Sequence, residues 1–124
     1  MLTKKQKQAR KLSKKISYIP NYSNVSKKVF FSDEYYASLC EKLKQAFGVE
    51  VGDTVETVAE EIWESHCFEI KHRVRGTVFV LDSYGGICIL LDKHEPQLKE
   101  WENCIFFENQ DHLPECFKQD WRKV

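Results

Sequence analysis

Two short segments with apolar residues on both faces constrain the fold more than any other feature of this sequence. They cover residues 77–81 and 87–91, and Asp82-Ser83-Tyr84-Gly85-Gly86 joins them. A strand that is apolar on both faces belongs in the interior of a sheet, where both faces are covered. The two glycines permit the positive φ angles of a tight hairpin connection. We therefore expect these segments to be the central strands of an antiparallel sheet.

Helical periodicity dominates the sequence before these strands. Residues 33–47 have acids in the first turn and Gly48 at the end, which is typical of a helix that begins at Ser32 or Asp33. Their apolar stripe consists of Tyr36, Leu39, Cys40, Leu43 and Phe47.

Two further helices are predicted on either side of that one. The first covers residues 3–16, with Ala9, Leu12 and Ile16 at helical spacing. Pro20 and several Asn and Ser residues follow it and predict a linker or a loop over the domain. The second begins near Asp53, because Glu56 follows three residues later as in a capping box. Its buried stripe would consist of Val55, Val58, Ala59 and Ile62.

Shorter elements complete the predicted α+β fold. Residues 68–74 alternate with period two and predict a strand that Gly76 ends. A short helix over 95–102, a strand over 104–107 and a helix from Pro114 to about Lys123 follow. We expect N-terminal helices on a mostly antiparallel sheet of about four strands, with a short inserted helix and a C-terminal helix. Residues 1–30 would be a basic helical segment and linker, and residues 31–124 a single α+β domain.

Composition and cysteine usage narrow the classes of protein. The 124 residues suffice for one hydrophobic core. No apolar run approaches the roughly 18 residues that span a bilayer, and the N-terminus has no apolar signal-peptide stretch, so we expect a cytoplasmic protein with no membrane partner. The cysteines are odd in number and form no C-x-x-C pair, which is typical of reduced structural thiols. They are Cys40, Cys67, Cys88, Cys104 and Cys116.

Charge is distributed unevenly although the net charge is zero. Residues 1–30 contain nine Lys or Arg and no acid, whereas residues 31–66 contain nine acids and only Lys42 and Lys44 as bases. The chain therefore has a basic pole and an acidic pole in sequence.

No catalytic or metal-binding pattern stands out. The local pairs His66-Cys67 and His112-x-x-x-Cys116 match no compact zinc spacing, and we expect no metal and no cofactor. His72 lies among cations, but on a strand it would face away from its neighbours Arg73 and Lys71 and from Arg75. We therefore predict no catalytic residue and a non-enzymatic protein.

The acidic pole supports the first functional hypothesis, a protein-binding module. On the predicted third helix Glu56, Glu60 and Glu64 lie on one face with Glu61 beside them, which suits a basic protein partner. Candidate aromatic anchors are Trp63, Trp101 and Trp121. The architecture and charge are those of an inhibitor, such as bacterial immunity proteins that neutralise basic nuclease toxin domains, although no motif identifies one.

The basic pole supports the alternative, a small nucleic-acid or ribonucleoprotein-associated protein. Lysine-rich segments neutralise phosphates without reading sequence, and Tyr18 and Tyr22 could stack on bases. The residues assigned to this role are Lys4, Lys5, Lys7, Arg10, Lys11, Lys14, Lys15, Lys71, Arg73 and Arg75. Two plainer alternatives remain open, since either pole could be a solvated face or the two poles could pair within the chain.

Overall fold

A computed structural model describes residues 2–20, 25–58, 62–64 and 68–124, with the backbone alone at 62–64 and 68–69. The helices are α1 (Lys4–Ser13), α2 (Lys27–Phe30), α3 (Asp33–Phe47) and α4 (Leu113–Asp120), with a 3₁₀ helix at Pro96–Trp101. The strands are β1 (Thr54–Thr57), β2 (Ile62–Glu64), β3 (Phe68–Ile70), β4 (Arg75–Val80), β5 (Ile87–Leu91), β6 (Cys104–Phe107) and β7 (Trp121–Lys123).

Five of these strands form one antiparallel sheet in the order β6-β5-β4-β1-β7, and β2 pairs with β3 in a separate hairpin. The two strands predicted to be central, β4 and β5, are both interior, with Val78 opposite Ile89. The hydrophobic pattern sets this register, because a shift of one residue would turn the buried side chains to the opposite faces of the sheet. The predicted α+β architecture is confirmed.

Helix α3 agrees with its predicted stripe at every position. Its five apolar residues are all buried, and Gly48 ends it with a φ of 73°, a conformation that glycine adopts without steric cost. Helix α1 packs against β4. Leu2, Ala9 and Ile16 belong to the same core as α3 and the sheet. The basic segment is therefore packed on the rest of the chain, whereas the domain boundary at residue 30 stays a prediction.

The prediction for the apolar stripe of α1 was wrong at one position. Leu12 is 48% exposed, and Ser13 is buried in its place. The Ser13 hydroxyl donates to the Arg10 carbonyl at 2.8 Å, so this small polar residue satisfies its own hydrogen bond inside the helix. The linker prediction also needs correction at its end, where α2 forms, and residues 21–24 lie outside the described residues.

The predicted third helix was wrong. Thr54–Thr57 is strand β1, which pairs with β4 on one side and β7 on the other, and Val58 is 45% exposed. Asp53 does not cap a helix, since its Oδ2 accepts the backbone N–H of Glu50 at 2.8 Å. Pairing on both sides outweighed the weak local helical pattern. Ala59 lies outside the described residues.

The strand over 68–74 and its stop at Gly76 were also partly wrong. Strand β3 ends at Ile70, residues 71–74 are irregular, and Gly76 lies inside β4 opposite Leu91. A Cβ atom at Gly76 would lie 2.5 Å from the Leu90 carbonyl oxygen, so the glycine here permits close approach of two strands.

The C-terminal helix is shorter than predicted. It ends at Asp120, and the chain then pairs with β1 as β7, with Trp121 opposite Thr57. This pairing makes β7 an edge of the sheet, so the sheet has five strands where about four were expected. Among the described residues, no helix is long and apolar enough to cross a membrane.

Candidate functional site

The outer face of α1 is a row of lysines. Lys4, Lys7 and Lys11 recur at helical spacing opposite the buried Ala9 and Ser13. Together with Lys14 and Lys15, which follow the last turn, these residues form the "lysine face". All five are exposed, and none forms an ion pair with a described residue. From Lys4 to Lys14 the row is about 15 Å long at helical rise.

The other two cations of α1 attach the helix to the domain. Lys5 Nζ lies 3.0 Å from Oδ1 of Asp53, which is 1% exposed. Arg10 pairs with Asp33 and lies over the Tyr36 ring. The hydrogen bond and charge of Arg10 hold the pKa of the Asp33 carboxyl below its ordinary value. Sequence reasoning placed these two residues with the other lysines, but here they are anchors.

The predicted acidic row does not form one helix face. Glu56 lies on β1, Glu64 lies on β2 opposite Phe68, and Glu60 and Glu61 lie outside the described residues. Arg75 Nη2 donates to Glu56 Oε2 at 2.9 Å, and Arg122 Nη2 donates to Glu56 Oε1 at 2.6 Å. These hydrogen bonds, first from Arg75 and then from Arg122, lower the pKa of the Glu56 carboxyl.

The three tryptophans lie in different surroundings. Trp101 ends the 3₁₀ helix, is 38% exposed and meets Phe106 edge to face. Trp121 is 4% exposed and stacks on Phe117, so it belongs to the core. Trp63 lies on β2 opposite Glu69, where the backbone alone is described.

A cleft of about 380 Å³ opens where the β4–β5 turn meets the loop after β6. We call it the loop cleft, and it is lined by Asp82, Tyr84, Glu108, Asn109 and Gln110. Two carboxylates and two amides line it without any cation, and Tyr84 is 66% exposed. Sequence reasoning missed this site, although the exposed aromatic in the predicted turn was a signal.

Hydrogen bonds fix the walls of the loop cleft. Asp82 Oδ1 accepts the backbone N–H groups of Tyr84 at 3.0 Å and Gly86 at 3.1 Å. Asn109 Nδ2 donates to the Tyr84 carbonyl at 3.0 Å, which ties the two loops together. The aliphatic part of Lys42 lies against Gly85, at the edge of the turn. These hydrogen bonds hold the Tyr84 backbone between the two loops, and its exposed side chain lines the same cleft as Glu108.

A second cleft, of about 400 Å³, lies where β4 begins and β5 ends. We call it the strand-end cleft, and it is lined by Glu56, His72, Arg73, Val74, Arg75, Leu91, Asp92, Lys93, His94 and Glu95. The expectation that His72 faces away from the neighbouring cations was wrong. Residues 71–74 are irregular, so His72, Arg73 and Arg75 line the same cleft. His72 Nε2 lies 3.5 Å from Oε2 of the buried Glu95.

The alternative nucleic-acid residues fall on two surfaces. Arg73 and Arg75 line the strand-end cleft, while no lysine of α1 does. Lys71 is exposed in the irregular segment after β3. The strand-end cleft therefore does not connect the cations of residues 71–75 with the lysine face.

The described cysteines are structural in position. Cys40, Cys88 and Cys104 are buried free thiols, and Cys116 is half-buried. Burial raises the pKa of Cys40 to about 12 and that of Cys88 well above its ordinary value, which opposes thiolate formation. Cys67 lies outside the described residues. Among the described residues, no three His, Cys, Asp or Glu side chains are grouped to hold a metal ion.

Comparison with protein-family models, with curated proteins and with solved structures finds no match to this chain. The two clefts and the lysine face are the surface features of the described residues that bear on function.

Proposed function

We propose that this protein is a non-enzymatic binding module of the inhibitor or immunity type, which neutralises a basic, nuclease-like protein partner. The observation that carries the proposal is the loop cleft, which is lined by the exposed Tyr84 ring and by Glu108 on hydrogen-bonded loops. Tyrosine is enriched among the residues that dominate interface energies, because it supplies a large contact area at low entropic cost.

The chemistry of the loop cleft fits a lysine or arginine side chain of the partner. Its lining offers carboxylate and amide oxygens with no lining cation to compete for them. A guanidinium entering it could donate to Glu108 while its plane lies on the Tyr84 ring. Asp111 and Glu115, on the following turn and on α4, are exposed acids that come after the cleft residues in the chain. An acidic surface accelerates association with a basic protein.

Two residues that the sequence predicted for the partner surface, Glu56 and Trp121, are engaged within the chain. Glu56 is already paired with two arginines, so it has little charge left to offer a partner. Glu60, Glu61, Glu64 and the Trp63 side chain stay predictions for the partner surface. Trp101 remains as an exposed aromatic on a different element.

Affinity capture from nuclease-treated lysate tests the proposal. The tagged protein is expected to retain one basic protein, and Glu108→Lys combined with Tyr84→Ala is expected to release it. Glu34→Lys, in the first turn of α3, is the control. It reverses the charge of a glutamate that does not line the cleft, and it is expected to retain the partner. Retention by the cleft variant would refute the assignment, and a second variant, Glu60→Lys with Glu64→Lys, would then test the acidic residues predicted from sequence.

The lysine face supports a second candidate function, binding to nucleic acid. The five exposed lysines on and directly after α1 present a row of positive charge on a helix that is packed on the core. Counterion release would drive the binding of phosphates to such a row. Deleting residues 2–16 would remove the buried Leu2, Ala9 and Ile16 and expose the core that they cover, so point substitutions are the appropriate test.

The second candidate predicts a salt-dependent affinity for single-stranded RNA. Lys7→Gln with Lys11→Gln is expected to weaken binding and to reduce the slope of log affinity against log salt by about 1.4. Lys118→Gln, an exposed lysine on α4, is the control. An unchanged slope in the double variant would exclude the lysine face as a nucleic-acid site.

A further inference from the structure

We propose that the strand-end cleft binds a small ligand through a phosphate group, and that Arg73 and Lys93 hold that group. The site is separate from the loop cleft, since the two linings share no residue. The inference therefore does not depend on the proposed function.

Two cations of the cleft have no anionic partner among the described residues. Neither Arg73 nor Lys93 forms an ion pair with a described residue, and both are exposed. They come from two chain segments, the irregular residues 71–74 and the loop after β5. A phosphate has three terminal oxygens and close to two negative charges, so one group can accept hydrogen bonds from both segments at once.

Most of the negative charge in the cleft is already engaged. The Glu56 carboxylate accepts hydrogen bonds from Arg75 and from Arg122, the latter lying beside the cleft on β7. The buried Glu95 faces His72 at 3.5 Å and accepts the backbone N–H of Gln97 at 3.4 Å. Asp92 is the one exposed carboxylate of the lining. The described lining therefore contains three permanent cations and three carboxylates, one of which is also paired with Arg122 from outside the lining, and His72 and His94 add N–H donors.

The walls of the cleft are fixed before any ligand arrives. Thr57 Oγ1 accepts the backbone N–H of the buried Val74 at 3.0 Å, and the Thr57 N–H donates to the Val74 carbonyl at 3.0 Å. On the other wall, Asn103 Nδ2 donates to the carbonyls of Leu91 and Lys93, and its Oδ1 accepts the Glu95 N–H at 2.8 Å. A preorganised site loses less entropy when it binds.

The size and lining select a class of ligand. About 400 Å³ lies within the range of small-molecule sites. Val74 and Leu91 supply the apolar part of the surface, and among the described residues no Phe, Tyr or Trp lines the cleft to stack on a base. We therefore assign it to a phosphorylated polyol or sugar in preference to a nucleotide.

Backbone amide NMR titration with glycerol phosphate tests this assignment. Saturable shifts are expected at amides of residues 72–75 and 91–95, and inorganic phosphate is expected to compete at the same amides. Arg73→Gln with Lys93→Gln is expected to weaken glycerol phosphate at least about tenfold, because each substitution removes a hydrogen bond to a charged group. Lys118→Gln is the matched control and is expected to bind as the wild type does.

Four outcomes would overturn the proposal. These are no saturation, shifts confined to residues 4–15, equal affinity in the double variant, or equal affinity for acetate at the same ionic strength. The first three remove the site, and the last removes its preference for phosphate. The thermal midpoint of each variant establishes that it is folded. Partner capture by the loop cleft is scored separately, so either proposal can fail alone.

Discussion

Arg122 on β7 donates two hydrogen bonds to Glu56 on β1, from Nε at 2.9 Å and from Nη2 at 2.6 Å, both to Oε1. The two residues face each other in the strand register, and Arg75 occupies the equivalent position on β4. One carboxylate thus connects three neighbouring strands. It adds to the backbone pairing and the buried Trp121 that hold β7, an edge strand of only three residues, on the sheet.

The Glu56 contacts predict a pH-dependent contribution to stability. The folded-state pKa of Glu56 is depressed, so its stabilising effect is present above the ordinary carboxyl pKa and is lost as pH falls through the lower folded value. We expect Glu56→Gln to lower the thermal midpoint at neutral pH, with a difference from wild type that disappears in strong acid. Thermal unfolding of both proteins across pH checks this. A difference independent of pH would contradict an ionic role.

The buried Asp53 is predicted to attach α1 to the sheet. Its carboxylate accepts the Glu50 N–H and pairs with Lys5, and Lys123 Nζ lies 3.7 Å away. Asp53→Ala is expected to cost about 1 to 3 kcal/mol of unfolding free energy, because the part-buried hydrogen bond from the Glu50 N–H and the pairing with Lys5 are both lost. Asp53→Asn, which keeps an acceptor oxygen, is expected to cost less. Urea unfolding measures both, and amide exchange should show faster opening of α1.

Phe117 is predicted to hold α4 in place. Its ring meets Phe47 on α3 at 5.7 Å, Phe107 on β6 at 5.4 Å and Trp121 on β7 at 6.2 Å between centroids. Phe117→Ala is expected to destabilise the protein by about 3 to 5 kcal/mol. Gln119→Ala, at an exposed position of the same helix, is the control. Similar unfolding midpoints for the two variants would show that α4 is not part of the cooperative core.

The sequence predicted those elements that depend on contacts between residues close together in the chain. The α3 stripe and the β4–β5 hairpin are local patterns with strong periodicity, and both formed as expected. The helix prediction for Thr54–Thr57 was wrong, because this segment becomes a strand through pairing with β4 and β7. Arg75 and Arg122, which contact Glu56 from those strands, lie 19 and 66 residues away from it in the chain. The secondary-structure propensity of four residues contains no information about partners so far away in the chain.

The candidate sites were predicted less well than the fold. Charge counting found the lysines of α1, but it could not separate Lys5 and Arg10, which pair with Asp53 and Asp33, from the five that form no ion pair with a described residue. Period two placed His72 away from Arg73, whereas the irregular residues 71–74 bring both to one cleft. The loop cleft joins two segments about 25 residues apart through Asn109 and Tyr84, a contact that sequence alone could not indicate.

The most direct test of the proposed function is the affinity of the captured partner for wild type and for Tyr84→Ala, measured by isothermal titration calorimetry. We expect Tyr84→Ala to weaken binding by at least about thirtyfold, the loss typical of an interface hot spot. The affinity of Glu34→Lys is expected to stay within about twofold of that of wild type, because this residue does not line the loop cleft. Equal affinity of Tyr84→Ala and wild type would contradict the claim that the loop cleft binds the partner.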